Sequence, residues 1–179
     1  FTSGPRQRLQ PGGRIVIVMC VEENQRVLMA DGTWRPIKTL AAGDQVVSLA
    51  SDQPGGKAVH QTVTNVVNQG PDDLLEVVSR SCSVKVNARH PFLVVDGGKF
   101  VWVRAGELVP ETLAVTIAAD GTFVPEPIQA VNPAGRGVVY DISVTGEENF
   151  IAEGFVVHNT RWGDNDLVAN LLESQAKKS

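Results

Sequence analysis

Cys20 and Cys82 are the only two cysteines of the 179-residue chain. Two thiols cannot make a disulfide scaffold, and in a reducing compartment each is free, so one is available as a nucleophile. Cys20 stands a few residues ahead of Val27-Leu28-Met29-Ala30-Asp31-Gly32-Thr33-Trp34-Arg35-Pro36-Ile37, which reads as a hairpin. By itself a lone cysteine is a small buried hydrophobe. The second candidate group is the imidazole of His90 in Asn87-Ala88-Arg89-His90-Pro91-Phe92. Pro91 cannot continue a strand ladder, so His90 is expected to close a strand at a rigid corner. The third stretch contains Asp141 in Tyr140-Asp141-Ile142-Ser143, then Asn149-Phe150-Ile151-Ala152-Glu153-Gly154-Phe155-Val156-Val157, and ends in His158-Asn159-Thr160. Thiol, imidazole and carboxylate are the side chains of nucleophilic and general acid–base chemistry. Read separately, however, the clusters are a structural histidine, two strands and a polar turn.

The elements that must position these groups are strands. Val, Ile and Thr are frequent and are punctuated by Gly, Pro, Asn and Asp, which predicts an all-β core of short strands. Strands are predicted over residues 26–29, 45–49, 63–67, 74–78 and 84–86, with turns at Asp31-Gly32 and Pro54-Gly55-Gly56. A Pro- and Gly-rich turn, Gln10-Pro11-Gly12-Gly13, precedes a continuous apolar strand, Arg14-Ile15-Val16-Ile17-Val18-Met19, which stops at Cys20. After Asn159 the pattern changes to helical spacing over residues 166–178, with Leu167, Leu171 and Leu172 on one face.

The sequence also repeats itself. Val27-Leu28-Met29-Ala30-Asp31-Gly32 is echoed by Phe92-Leu93-Val94-Val95-Asp96-Gly97, and the text through Trp34 and Ile37 to Leu40 is echoed through Trp102 and Val103 to Leu108. The offset grows from 65 residues (Asp31 to Asp96) to 68 (Leu40 to Leu108), as a three-residue insertion would produce. Two related β subunits are implied. Trp34, Trp102 and Val94 read as core, Cys82 as a buried strand residue, and His60 as a loop residue rather than a ligand.

Net charge of −4 and a sequence pI near 5.4 leave no basic patch of the size that phosphate-backbone binding needs, so no nucleic acid partner is expected. No apolar run reaches the roughly 20 residues that span a bilayer, and residues 1–19 lack a signal-peptide layout. The expectation is no membrane partner and a cytoplasmic setting.

In this order, the clusters at Cys20, at Asn87-Ala88-Arg89-His90 and at Asp141 to His158-Asn159-Thr160 resemble the splicing motifs of inteins, members of the wider Hint group that includes hedgehog autoprocessing domains. The resemblance covers residues 20–159, or 140 residues, the size of a mini-intein without a homing endonuclease. It implies a Hint fold, a β horseshoe with pseudo-two-fold internal symmetry whose ends lie side by side. Residues 1–19 and 160–179 are then flanking exteins, the segment's own substrate, and the protein acts as a monomer. Joined directly, Arg14-Ile15-Val16-Ile17-Val18-Met19 and Thr160-Arg161-Trp162-Gly163-Asp164-Asn165-Asp166-Leu167 resemble the ATPase region of phage terminase large subunits, whose usual phosphate-binding loop is absent here.

By the same resemblance, Cys20 attacks the Met19 carbonyl to form a thioester while His90, titrating near neutrality, protonates the departing nitrogen. Asn87 stands where the family has threonine and is expected to donate to the developing oxyanion. Asp141 accepts a proton from a nucleophile; the bland alternative is a strand-end aspartate paired with a base. Thr160 takes over the acyl group as a branched ester, and Asn159, assisted by His158, cyclises to a succinimide. No cofactor and no metal are required. Restraint of the reaction by a Cys20–Cys82 disulfide, or by Zn²⁺ held by Cys20 with His90 or His158, is a further possibility. Two other readings are an autoprocessing domain that cleaves without ligating and an inert β module inserted into a host.

Overall fold

The computed structural model describes residues 19–50 and 55–159, and gives residues 8–9 and 15–16 as backbone alone. Of the strand expected over residues 14–19, Ile15–Val16 (β2) is a strand paired with Arg8–Leu9 (β1), while Met19 is buried and lies outside any strand. Thr160, the Gln10–Gly13 turn text, Pro54 and the helix expected at 166–178 lie outside the described residues.

The remaining strands are β3 (Val21–Glu22), β4 (Arg26–Leu28), β5 (Trp34–Pro36), β6 (Gln45–Leu49), β7 (Ala58–Ser79), β8 (Ser83–Val86), β9 (Pro91–Asp96), β10 (Lys99–Arg104), β11 (Leu113–Ile117), β12 (Phe123–Val144), β13 (Asn149–Ala152) and β14 (Phe155–His158). Two 3-10 turns, Ile37–Thr39 and Ala105–Glu107, interrupt them. Among the described residues no helix is long and apolar enough to cross a membrane.

The internal echo is a structural repeat. Hairpin β4–β5, a 3-10 turn, β6 and the 22-residue β7 recur as hairpin β9–β10, a 3-10 turn, β11 and the 22-residue β12. Each long strand leaves its own subunit and pairs with the other. β7 starts against β6, β12 starts against β11, and the two then run antiparallel from Ile128↔Ser79 to Val144↔Val63. Four register shifts bend this ribbon, because each bulge adds twist and local curvature. The pieces predicted at 63–67 and 74–78 are one strand; Gly70-Pro71 sits inside it at a bulge and does not end it. His60 belongs to the exposed start of β7 and not to a loop.

β13 and β14 have every residue buried, and they wedge between β4 and β9. Phe92, Phe150 and Phe155 are fully enclosed, with Phe92 and Phe155 edge to face at 5.4 Å. Each contributes about 1.5–3 kcal/mol by leaving water. A second apolar group, with Val47, Leu49, Leu93, Val115, Ile151 and Val156, packs the other side of the same wedge.

Candidate active site

Sheet register assembles the upstream half of the site. Val21 on β3 pairs with Val86 on β8 and with Tyr140 on β12. One step further along each strand are Cys20, Asn87 and Asp141, which therefore meet. Cys20 is fully buried; its Sγ donates to Asp141 Oδ1 at 3.4 Å, and its backbone N–H donates to Asn87 Oδ1 at 3.2 Å. The Asn87 N–H in turn donates to the Cys20 carbonyl at 3.1 Å. Asp141 lies inside β12 and not at its end, and its carboxylate accepts from the Cys20 thiol and from the Gln69 amide. The Asn87 carboxamide is turned opposite to expectation: its oxygen takes the Cys20 N–H, and its Nδ2 donates to Asp72 Oδ2 at 3.3 Å.

His90 follows a turn over residues 87–89, where its N–H donates to the Asn87 carbonyl at 3.2 Å. Pro91 opens β9 and does not stop the preceding strand, because a first strand residue needs no ladder N–H. The 3-10 turn after β10 clamps this loop. Ala105 N–H donates to the His90 carbonyl and Gly106 N–H to that of Ala88, both at 2.9 Å. A Cβ at residue 106 would press at 3.3 Å on Ala88, which accounts for glycine there.

The His90 ring sits edge-on to Phe92 and Phe150, each at 6.3 Å, and neither ring nitrogen has a hydrogen bond of regular geometry. Burial first, then the neighbouring His158, lower its pKa to about 3, against the backbone carbonyls of His158 and Cys20, which favour the charged form. The expectation of an imidazole titrating near neutrality is thus corrected. His90 is neutral at physiological pH because its enclosure makes the cation costly. Those two carbonyls also locate the ring, since it lies between the residue after Met19 and the residue before Asn159.

The downstream half comes from β14. Val157 pairs with Phe92, so His158 and Asn159 emerge beside Pro91 and His90. His158 Nδ1 is 2.7 Å from the carbonyl oxygen of Asn159, its own neighbour. With Nδ1 protonated, this is a hydrogen-bond donor that polarises the Asn159 carbonyl. His158 Nε2 faces Glu148 Oε2 at 3.6 Å, Asn159 N–H donates to the Glu148 carbonyl at 3.1 Å, and Trp102 covers the His158 ring at 4.5 Å between centroids.

Four residues here had no sequence reading as site residues: Gln69, Asp72, Trp102 and Glu148. Tyr140 pairs with Asn68 and Val139 with Gly70, so Gln69 is the extra residue of a bulge, which aims its Nε2 at Asp141 Oδ2, 3.1 Å away. Trp102, expected in the core, lies on His158, and its repeat counterpart Trp34 is 37% exposed with Arg26 over its ring.

Cys82 is half-buried just ahead of β8 and is not a strand residue; burial raises its thiol pKa. Cys20 lies opposite Asn87, and five residues of extended chain at about 3.3 Å each place Cys82 roughly 16 Å away. That separation exceeds the ~7 Å Cα limit of a disulfide, so the proposed Cys20–Cys82 bridge does not fit the fold. Among the described residues no three His, Cys, Asp or Glu side chains are grouped to hold a metal ion.

No protein-family model and no curated protein matches the sequence. Solved structures do. The chain is similar to a DnaB intein from Synechocystis sp. PCC 6803, at 22% identity and a TM-score of 0.71 over 80% of this chain and 100% of that one. It is similar to the DnaX mini intein from Spirulina platensis, at 22% identity and a TM-score of 0.64 over 78% of this chain and 99% of the other. A bacterial intein-like domain from Clostridium thermocellum shares 21% identity and a TM-score of 0.65 over 80% of this chain and all of the other. Together with the strand exchange between two repeated subunits, these likenesses establish the architecture: the chain has the all-β Hint fold, the fold of the solved inteins.

Proposed function

We propose that the chain splices itself, excising residues 20–159 and joining Met19 to Thr160. One observation carries the reading: Cys20 and Asn159, 139 positions apart in sequence, are both buried around His90. Holding reacting groups together in this way replaces a bimolecular encounter with an intramolecular one, and well-oriented cases gain on the order of 10⁵ M or more in effective concentration.

In the first step the Cys20 Sγ–carbonyl bond forms and the Met19–Cys20 amide bond breaks. The thiol proton passes to Asp141, 3.4 Å away, and one proton is returned to the released nitrogen, so the step moves a proton from sulfur to nitrogen with no net gain or loss. A neutral His90 supports this step as a hydrogen-bond donor from one ring nitrogen and as an acceptor at the other. Thr160 Oγ then replaces sulfur on the Met19 carbonyl and the thiol is restored. Next the Asn159 side-chain nitrogen attacks the Asn159 carbonyl, which His158 polarises; the bond to Thr160 breaks and a succinimide forms. The freed Thr160 amine finally displaces the ester oxygen, leaving a peptide bond.

Residues between His90 and Asp141 fold as β9 to β12, so the reading includes no endonuclease. The matched share of the chain, 78–80% for the three solved structures, agrees with the 140 of 179 residues assigned to the excised segment. The flanks are read as pieces of a terminase-like ATPase whose interrupted strand becomes continuous on ligation.

The test is a set of purified precursors incubated with dithiothreitol. The parent should release residues 1–19 as a thiol-captured product, Cys20→Ala should abolish that release, and Asn159→Ala should retain it while losing cleavage before Thr160. Thiol-independent release, or an inert parent, contradicts the proposal. Cleavage at Cys20 with no ligation under any condition supports autoprocessing instead.

A further inference from the structure

We infer that Asp72 is a positioning residue for the first step: it sets which end of the Asn87 carboxamide faces the Cys20 amide. The inference deepens the splicing reading and rests on it.

Asp72 is a carboxylate 8% exposed within β7, at the position paired with Gly137 of β12. Its oxygens take the Asp73 backbone N–H at 2.8 Å and the Asn87 Nδ2 at 3.3 Å. A carboxylate can only accept, whereas a carboxamide has one accepting and one donating end. Asp72 can therefore be served only by the Nδ2 end of Asn87. The other end, Oδ1, is left facing the Cys20 N–H at 3.2 Å.

Without Asp72 the two ends differ little in shape, and rotation about the terminal side-chain bond is soft. The turned-over form would place an N–H donor against the Cys20 N–H donor. That contact is lost, and with it the orientation of the peptide whose bond must break. Asn87 holds Cys20 at a second atom through its own N–H on the Cys20 carbonyl, so a fixed carboxamide locks the peptide plane on both sides of the thiol. Once the acyl group has moved to sulfur, the same Oδ1 is placed to accept from the new amine. A carboxylate at position 72 and an amide at position 87 thus form a matched pair, and asparagine in place of a hydroxyl residue is served by a partner 15 positions away.

The experiment compares Asp72→Ala and Asp72→Asn on two backgrounds of the full chain. In Asn159→Ala precursor, thiol-dependent release of residues 1–19 should fall by about 10- to 100-fold for Asp72→Ala and by less for the isosteric Asp72→Asn, as expected for loss of a charge-assisted hydrogen bond. In Cys20→Ala precursor, cleavage before Thr160 should stay within about twofold of its parent. With Asn87→Thr already present, Asp72→Ala should cause no further loss, because the carboxamide it orients is gone. Hydrogen exchange at the Cys20 amide, read by NMR, should accelerate in Asp72→Ala. Equal release from Asp72→Ala and its parent overturns the inference, as does equal slowing of both cleavages or an additive loss with Asn87→Thr. A parent that releases nothing with thiol contradicts the splicing reading; unchanged Cys20 amide exchange in Asp72→Ala then separately overturns this one.

Discussion

Gln25 and His90 occupy the same place in the two repeats, yet only one stands at the site. The 3-10 turn of the first repeat clamps the Gln25 loop through Ile37 N–H on the Gln25 carbonyl and Lys38 N–H on that of Glu23. The second clamps the His90 loop through Ala105 on His90 and Gly106 on Ala88. In the first repeat the side chain is tied down: Gln25 Oε1 accepts from Lys85 N–H and its Nε2 donates to Glu22. In the second, the imidazole is sealed between two phenylalanines and two backbone junctions. One loop geometry thus holds a hydrogen-bonded structural side chain in one copy and, on the proposed reading, a group of the splicing site in the other. The difference lies in the residue it carries and in the β13–β14 wedge, which closes over the second copy.

Exchanging residues between the copies tests this contrast most severely. His90→Gln installs the silent copy's side chain; it should keep the fold by circular dichroism and slow thiol-dependent release of residues 1–19 by roughly 10²- to 10⁴-fold. Gln25→Ala should leave that rate within about twofold and lower stability by about 1 kcal/mol in denaturant titration.

The paired tryptophans are next in size. Trp102→Ala removes the cover of His158 and should lower stability by about 3 kcal/mol in urea, with slower cleavage before Thr160 in the Cys20→Ala precursor. Trp34→Ala, at a position 37% exposed, should cost about 1 kcal/mol or less and leave cleavage unchanged.

Acid provides a third comparison. The unfolded chain takes up a proton at His90 near the ordinary pKa of 6.5, and the folded chain only near 3. Stability should therefore fall as pH drops through that window, by up to about 1.4 kcal/mol per pH unit, and His90 should add no slope above it. His90→Gln should flatten this part of the stability–pH curve. The smallest expected effect concerns the thiols. Mild oxidation followed by peptide mapping should yield no Cys20–Cys82 link, and removal of Cys82 by Cys82→Ser should leave the reductant dependence of splicing unchanged.

Much of this layout was legible in the chain because repeats leave correlated text. Asp-Gly turns, tryptophans and the Leu40 and Leu108 positions recur at nearly constant offset, and they mark hairpins, 3-10 turns and long strands in both copies. The residues at Cys20, His90, Asp141, His158 and Asn159 were picked out through the motif resemblance, and the fold brings Cys20 against Asp141 and the His90 ring between Cys20 and His158. Their partners were not. Gln69 reaches Asp141 through a bulge, and Asp72 reaches Asn87 from a strand whose Gly70-Pro71 text reads as a turn. Both placements depend on the register between distant strands, which local pattern does not encode. The low pKa of His90 is likewise a property of enclosure, since the ring is buried by Phe150 from the far end of the chain.

Intact-mass spectrometry of the full-length chain over time under reducing conditions tests the central claim most directly. The account predicts loss of the precursor, appearance of a free 140-residue segment corresponding to residues 20–159, and a ligated product whose tandem spectrum reads Val18-Met19-Thr160-Arg161. A precursor mass that stays unchanged while the chain remains folded, or products cleaved at both junctions that never join, would contradict it.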